Sequence, residues 1–220
     1  MDGSVNTAIT ISVNDASSDD SYDSLGNSTV TAATADNDNA GFTVAESSGS
    51  TAVTEAGGTD SFTVVLDKAP LTDVVLTVTS GDTGEATVSP ANLTFTSGNW
   101  DSAQTVTVTG ADDSALEVTL SSTITVAVND GSSDDAFDSV ADDTLTVTTT
   151  DNDSAGYTLS KTTATVTEAG GTDTFTVVLD AQPDSDVWFT ITSGDTGEAT
   201  VSSGSLTFTN ANWDTAQTIT

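Results

Sequence analysis

Two short acidic triplets are the first candidates for chemistry: Asp-Asn-Asp occurs at residues 36–38 and again at residues 151–153. In both places one residue separates the triplet from an Ala-Gly-aromatic sequence. Asp-x-Asp at a strand end directs two carboxylates to one side, and calcium binds about six to eight oxygens of this kind. The alternative is a solvated linker, because Asp and Asn also favour turns. The recurrence of the triplet at equivalent places favours calcium.

Further carboxylates occur in turn-like sequences beside alternating segments. Glu55 and Glu168 stand in two copies of Thr-Glu-Ala-Gly-Gly, as ligands for a hard cation or as turn residues at a sheet edge. Asp112 and Asp113 are adjacent, and adjacent carboxylates repel each other unless a cation lies between them. These residues again indicate Ca2+ as the cofactor.

The composition excludes several classes of function. The chain has 34 acidic and two basic residues, and its formal net charge is -32. Such a charge repels nucleic acids and anionic membranes, so neither is an expected partner and membrane insertion is not expected. Cysteine and histidine are absent, which excludes disulfides, thiolate metal sites and a Ser-His-Asp triad. We expect no enzyme activity, and near-identical tandem copies also argue against a glycosidase carboxylate pair.

Self-comparison shows that the chain consists of repeats. The segment VTEAGGTDSFTVVLD at residues 53–67 recurs at residues 166–180 with one substitution, Ser61 becoming Thr174. Aligning the copies divides the chain into the end of one unit (1–38), a complete unit (39–153) and the start of a third (154–220). A unit of this length is typical of an independent domain in a tandem array. We expect the chain to be a window on a longer array.

Within the unit, the hydrophobic pattern has a period of two. Phe62, Val64 and Leu66 alternate with more polar neighbours, and similar alternation recurs in most of the other apolar segments. The dominant residues, Thr and Val, are β-branched and favour strands, and Gly- and Pro-containing turns separate them. The predicted fold class is all-β: tandem antiparallel two-sheet β-sandwiches, one complete and two partial.

Two further features favour structural roles over binding sites. Residues 132–140 (SSDDAFDSV) have a locally helical pattern, in which Ser132 and Asp135 fit an N-cap and the acidic residues complement the helix dipole. Trp100 and Trp213 could form a sugar-binding platform. One Trp per repeat after a turn more often packs over the end of a sandwich core, and we favour that interpretation.

The order of motifs resembles Calx-beta and Calx-beta-like domains, which have an immunoglobulin-like sandwich fold. AGYTLSKTTATVTEAGG (155–171) and SGSLTFTNANWDTAQTIT (203–220) match its early strands, while VTGADD (108–113) and the closing Asp-Asn-Asp match its later acidic motifs. The resemblance implies calcium at the end of each sandwich, beside the next domain. The implied ligands are Glu55, Asp82 or Glu85, Asp112, Asp113, Asp151 and Asp153, with Asp36 and Asp38 upstream, and Glu168 with Asp195 or Glu198 downstream.

The chain departs from this family in two places. The closing Asp triplet of the family is Asp-Asn-Asp here, and the loop after Val108 offers only Asp112 and Asp113 before it becomes apolar at residues 115–116. That loop is usually richer in carboxylates. Fewer bound ions or weaker binding are therefore expected.

These features predict a secreted, calcium-rigidified tandem-repeat stalk of a bacterial surface adhesin or filament. The expected partners are calcium and neighbouring repeats of the same or an identical chain. Head-to-tail strand complementation between residues 154–220 and residues 1–38 is a further hypothesis. The favoured alternative is that both partial units are cropped from a longer polypeptide. One alternative is a calcium-dependent carbohydrate- or protein-binding module. Another attributes the acidity to a saline habitat, in which case monovalent salt would stabilise the fold as well as calcium does.

Overall fold

The computed structural model describes residues 4–220, and its regular structure is almost entirely β. Short 3-10 turns occur at Asp15–Ser17, Asp130–Ser132 and Asp135–Phe137. The strands are β1 (Val5–Ile11), β2 (Ser28–Thr34), β3 (Phe42–Glu46), β4 (Thr51–Thr54), β5 (Thr59–Leu66), β6 (Val74–Ser80), β7 (Ala86–Ser89), β8 (Asn92–Phe95), β9 (Gln104–Gly110), β10 (Leu120–Val128), β11 (Asp143–Thr150), β12 (Tyr157–Leu159), β13 (Phe175–Leu179), β14 (Val187–Thr190), β15 (Ser205–Phe208) and β16 (Gln217–Ile219). The all-β prediction is confirmed.

Strands β3 to β11 form a complete two-sheet sandwich. One sheet has the order β4-β11-β10-β6-β8 and the other β3-β5-β9-β7. The predicted alternation is confirmed in β5, where Phe62, Val64 and Leu66 are buried against the facing sheet. Val106 and Val108 of β9 are fully buried in the same way. Alternating β-branched and aromatic residues thus bring two apolar faces together over one core.

The pairing of β4 differs from the antiparallel prediction. Strand β4 lies parallel to β11, with Thr51 opposite Val147 and Thr54 opposite Thr150. The chain reaches this edge through a turn at Gly49, whose φ of 77° suits a glycine. Strands β3 and β4 therefore lie at the edges of different sheets. Val53 of β4 is buried in the core, and Glu55, which follows β4, lies at the end of the sandwich.

The two flanking parts are less complete. β1 and β2 form an antiparallel hairpin in which Ile9 and Val30 are 52% and 54% exposed. Their repeat equivalents in the sandwich, Ile124 and Leu145, are 0% and 6% exposed. Residues 157–219 form two small sheets, β12-β13-β16 and β14-β15, around a second core that includes fully buried Phe208.

The tryptophans and the 132–140 segment have structural roles. Trp100 and Trp213 each pack against a hydrophobic core, which confirms the core interpretation. The helical prediction is realised as 3-10 turns, and the N-cap is Asp134 rather than Ser132. The carboxylate of Asp134 accepts hydrogen bonds from the backbone N–H groups of Leu71 (2.7 Å), Thr72 (3.0 Å) and Ala136 (3.0 Å). Leu71 and Thr72 lie more than 60 residues before Asp134 in the sequence, so no local sequence pattern could predict these hydrogen bonds.

Asp134→Ala is predicted to lower the free energy of unfolding by about 3 kcal/mol, because three N–H donors lose a charged acceptor in a buried setting. Its repeat equivalent, Asp19, is exposed, and its carboxylate accepts hydrogen bonds from the backbone N–H and the hydroxyl of Ser21. Asp19→Ala is the matched control and should change stability by less than about 0.5 kcal/mol. Urea denaturation of both variants measures the difference. Equal effects would contradict the bracing role of Asp134.

Candidate metal centre

Carboxylates from four segments converge at one end of the complete sandwich. Glu55 follows β4, and Glu85 immediately precedes β7. The loop between β9 and β10 carries Asp113, while Asp153 follows β11. Parallel pairing of β4 with β11 and antiparallel pairing of β7 with β9 bring these strand ends to the same edge.

Gly110 allows the two sheets to approach each other at this edge. Its N–H donates to the carbonyl of Gly58 (3.0 Å), and a Cβ at this position would overlap the carbonyl of Thr54. The next residue, Ala111, donates to the carbonyl of Glu85 (2.9 Å). Close backbone approach therefore brings the β9–β10 loop against the residues that carry Glu55 and Glu85.

Buried carboxylate oxygens form the centre of the cluster. Glu55 is 2% exposed and Glu85 is 8% exposed. Two groups have ligand oxygens within 4.8 Å of one another: Glu55 with Asp113 and Asp153, and Glu55 with Glu85 and Glu117. One oxygen each of Glu55, Glu85, Glu117 and Asp153 has no hydrogen-bond partner among residues 4–220. Burying carboxylates without donors is costly unless a proton or a cation compensates them.

The electrostatics agree with this geometry. Burial, reinforced by the carboxylates of Asp151 and Asp113, raises the pKa of Glu55 to about 7. Burial is also the main cause that raises the pKa of Glu85 and of Glu117 above the ordinary value. The site therefore holds carboxylates in positions where their ionised forms are unfavourable without positive charge.

Backbone bonds to the segment after β13 hold the β9–β10 loop, which we call the ligand loop because it carries Asp113 and Glu117. The N–H of Gln182 donates to the carbonyl of Ser114 (2.7 Å), and the N–H of Leu116 donates to the carbonyl of Gln182 (3.0 Å). These bonds bracket Ala115, which forms a parallel bridge with Gln182. We call these two backbone hydrogen bonds the clamp. Asp113 and Glu117 flank it in the sequence. We call residues 151–157 together with the 181–184 loop the downstream seam.

Asp151 helps to shape the same loop. One carboxylate oxygen of Asp151 accepts from the N–H of Glu117 (2.8 Å) and the other from the N–H of Asp153 (2.6 Å). Asp112 accepts from the side chain of Asn152 (3.2 Å). Both residues thus lie beside the cluster and orient it, although neither belongs to the two closest groups of oxygens.

The remaining predicted ligands lie elsewhere. Asp82 is exposed and accepts from the N–H of Gly84 (2.9 Å), although its charge contributes to the raised pKa of Glu85. Upstream, Asp36 accepts from the N–H of Asp38 (2.9 Å). The downstream set is exposed, and two of its members border an open groove of about 490 Å³. That set comprises Glu168, Asp195 and Glu198.

Glu117 is the member of the acidic cluster that sequence reasoning missed. The loop after Val108 holds only Asp112 and Asp113 before it becomes apolar at residues 115–116, and Glu117 follows directly after that apolar pair. The backbone of Ala115 and Leu116 pairs with Gln182, and this contact returns the chain to the acidic cluster. A third carboxylate four residues after Asp113, before a strand begins, was the available signal.

The donor set suits calcium. Calcium accepts about six to eight oxygens in flexible geometry, and the atoms that converge here are carboxylate oxygens. The softer ligands typical of zinc or copper sites are absent from the sequence, which has neither Cys nor His. Glu55, Glu85, Asp113, Glu117 and Asp153 are the residues that could hold such an ion.

Comparison with known proteins adds a likeness of fold. No protein-family model and no curated protein matches the chain. Among solved structures, the calcium binding domain CBD12 of CALX1.1 is 18% identical, covers 80% of this chain and 74% of its own, and has a TM-score of 0.37. Domains 1–6 of the surface layer protein SbsC are 19% identical over 84% of this chain and 22% of that one, with a TM-score of 0.39.

A third structure, SSP-19 of Caenorhabditis elegans, an MSP-domain protein like family member, is 18% identical over 46% of this chain and 92% of its own, with a TM-score of 0.31. The chain spans less than two thirds of the length of several such structures, including the SbsC segment above. Among residues 4–220, no helix has the length and apolarity needed to cross a membrane. The functional conclusion rests on the site itself.

The raised pKa of Glu55 predicts an unusual pH dependence in chelator. A protonated Glu55 stabilises the folded state fully below its unfolded value near 4.5, and this contribution is lost as the pH rises through about 7. Glu55→Gln should therefore be more stable than the parent chain at pH 8 and show a flatter profile. Thermal unfolding from pH 4 to 8 in chelator tests this. Glu168→Gln, the exposed repeat equivalent, should follow the parent profile, and an unchanged Glu55→Gln profile would contradict the assignment.

Proposed function

We propose that the chain is a non-enzymatic segment of a calcium-rigidified tandem-repeat stalk on the cell surface, of the kind found in bacterial adhesins or filaments. The observation that carries this proposal is the group of buried carboxylate oxygens without donors, located where the ligand loop is clamped to the next unit. In this proposal the units are residues 1–38, 39–153 and 154–220, and calcium binds at the ends of the sandwiches.

The mechanism is mechanical. Glu55, Glu85, Asp113, Glu117 and Asp153 would hold calcium through their carboxylate oxygens, and the ion would supply the positive charge that the cluster lacks. Once the repulsion among these carboxylates is compensated, Asp113 and Glu117 would fix both ends of the loop that bonds to Gln182. The backbone bonds at Ser114 and Leu116 then connect an ordered loop to the next unit, and the seam resists bending. Without this compensation the ligand loop carries unbalanced charge on both sides of the clamp.

The exterior of a cell is the environment that suits such a site. Extracellular modules bind calcium with dissociation constants of about 0.1–1 mM, which is the concentration range available outside cells. The absence of cysteine means that no disulfide can stabilise the fold, so calcium would provide the cross-link. A secreted, cell-surface location is therefore part of the proposal.

Neighbouring repeats are the proposed protein partners. The hairpin β1–β2 exposes Ile9 and Val30, whose equivalents Ile124 and Leu145 are buried in the complete sandwich. Strands of a neighbouring repeat would cover this face, whether they belong to the same polypeptide or to an identical one. Sedimentation at high concentration distinguishes the two sources: concentration-dependent association supports strand exchange between chains, and a strict monomer excludes it for this polypeptide.

Calcium is predicted to stabilise and straighten the chain. A concentration 100 times the dissociation constant should add about 2.7 kcal/mol to the free energy of unfolding. Melting in calcium and in chelator measures this, and small-angle scattering should show a longer, straighter particle with calcium. Glu55→Gln should abolish most of the response, whereas Glu168→Gln should retain the response of the complete unit.

Sodium chloride at matched ionic strength is the control for non-specific screening. Equal stabilisation by sodium would favour the saline-habitat interpretation, because screening does not require a coordination site. Identical melting and scattering in chelator and in calcium would refute the proposal.

The clamp can be tested separately from the ligands. Gln182→Pro removes the N–H that donates to Ser114, whereas Gln182→Ala keeps that bond and loses only the side-chain bond to the carbonyl of Asn210 (3.1 Å). Losing one backbone hydrogen bond of about 1 kcal/mol should weaken calcium binding several-fold in Gln182→Pro and reduce straightening. Calorimetric titration and scattering measure both effects. Equal behaviour of the two variants would show that the clamp does not support the site.

A further inference from the structure

The chain contains a second seam with the same local geometry. We call residues 36–42 together with Asp67 and Lys68 the upstream seam. Asp38 donates its N–H to Asp36 at 2.9 Å, as Asp153 does to Asp151 at 2.6 Å. The two Asp-Asn-Asp triplets therefore fold into the same turn, with the final carboxylate in the same position relative to the chain.

The residues that follow the two triplets also make matching contacts with the end of a neighbouring strand. Upstream, the N–H of Asp67 donates to the carbonyl of Gly41 (2.9 Å). Downstream, the N–H of Asp180 donates to the carbonyl of Gly156 (3.0 Å). In both places a Cβ on the glycine would collide with the aspartate side chain, so the two strands approach equally closely. The residue that follows this aspartate consequently occupies an equivalent backbone position on the strand side of both seams.

That residue differs between the seams. Upstream it is Lys68, whose ammonium group lies 2.9 Å from a carboxylate oxygen of Asp38. Downstream it is Ala181, which is 6% exposed beside the clamp. Asp153, the counterpart of Asp38, has a buried carboxylate oxygen without a partner among the described residues. One of the two basic residues in the whole chain thus stands at the seam that has its own counter-charge.

We propose that the position of Lys68 and Ala181 selects how each seam is neutralised. Lys68 is a built-in counter-ion for the final aspartate of the upstream seam, whereas Ala181 leaves Asp153 to a divalent cation. This inference rests on the proposed calcium-dependent function and deepens it: calcium dependence differs from joint to joint, and it is encoded at one position per repeat.

The physical basis is competition between positive charges for one carboxylate. An ammonium group within hydrogen-bond distance of Asp153 would satisfy its oxygen and place a positive charge beside the other ligands. A calcium ion entering the same cluster would then be repelled by the ammonium and would lose one ligand. The lysine would raise stability without calcium and lower affinity for calcium at the same time.

The test transfers the lysine from one seam to the other. Ala181→Lys is compared with Ala181→Gln, whose side chain is also long and polar but carries no charge. Ala181→Lys should bind calcium at least about tenfold more weakly than Ala181→Gln in calorimetric titration, given one added charge near the ligands. In chelator, Ala181→Lys should melt at a higher temperature than Ala181→Gln.

Lys68→Gln is the second control, because it changes net charge at the other seam and should leave calcium affinity at the Glu55 cluster unchanged. Equal calcium affinities of Ala181→Lys and Ala181→Gln would overturn the inference, including the case in which both lose binding through altered packing. If the parent chain binds no calcium, the proposed function fails. The melting comparison in chelator then decides the counter-ion role alone, and equal melting temperatures overturn it.

Discussion

Electrostatic repulsion among carboxylates limits where this chain can place its side chains, because 34 acidic residues face only two lysines. Among residues 4–220, only Glu46, Asp60 and Asp143 are acidic residues in strands, and the other acidic residues of this range lie in turns and loops. The outward faces of both sheets are covered mainly by threonine and serine. Charge is therefore concentrated at the ends of the sandwich, where the units meet, and the seams become the places at which repulsion has to be compensated.

The acidic residues divide into two groups according to how they are compensated. Asp60 accepts from the N–H of Ala52, the hydroxyl of Ser47 and its neighbour's N–H, and these bonds hold its pKa below the ordinary value. At Asp134, burial opposes ionisation, but three backbone donors outweigh it and lower the pKa. Glu55 is similarly buried without such donors, and its pKa is raised. Donor supply, rather than burial, separates a bracing carboxylate from a candidate ligand.

Local sequence patterns were sufficient to predict the all-β class and the buried strand faces, but not the full set of carboxylates that converge in the cluster. Alternation in Phe62, Val64 and Leu66 predicted the buried face, because side chains of a strand point to opposite faces in turn. The parallel pairing of β4 with β11 was not predictable, because it depends on the direction that the chain takes after the turn at Gly49. Glu117 was missed for a related reason: its position depends on a backbone bridge to Gln182, which belongs to another unit.

The sequence by itself determined the repeat, the all-β class and the excess of carboxylates, because periodicity, β-branched composition and charge are properties of the chain without any contacts. Only the tertiary structure decided which carboxylates meet. Glu55, Glu85, Asp113 and Asp153 are far apart along the chain and converge because four strand ends share one edge. The same is true of Lys68, which looked like an isolated surface lysine. Its position beside Asp38 depends on the tertiary contact in which the N–H of Asp67 bonds to the carbonyl of Gly41.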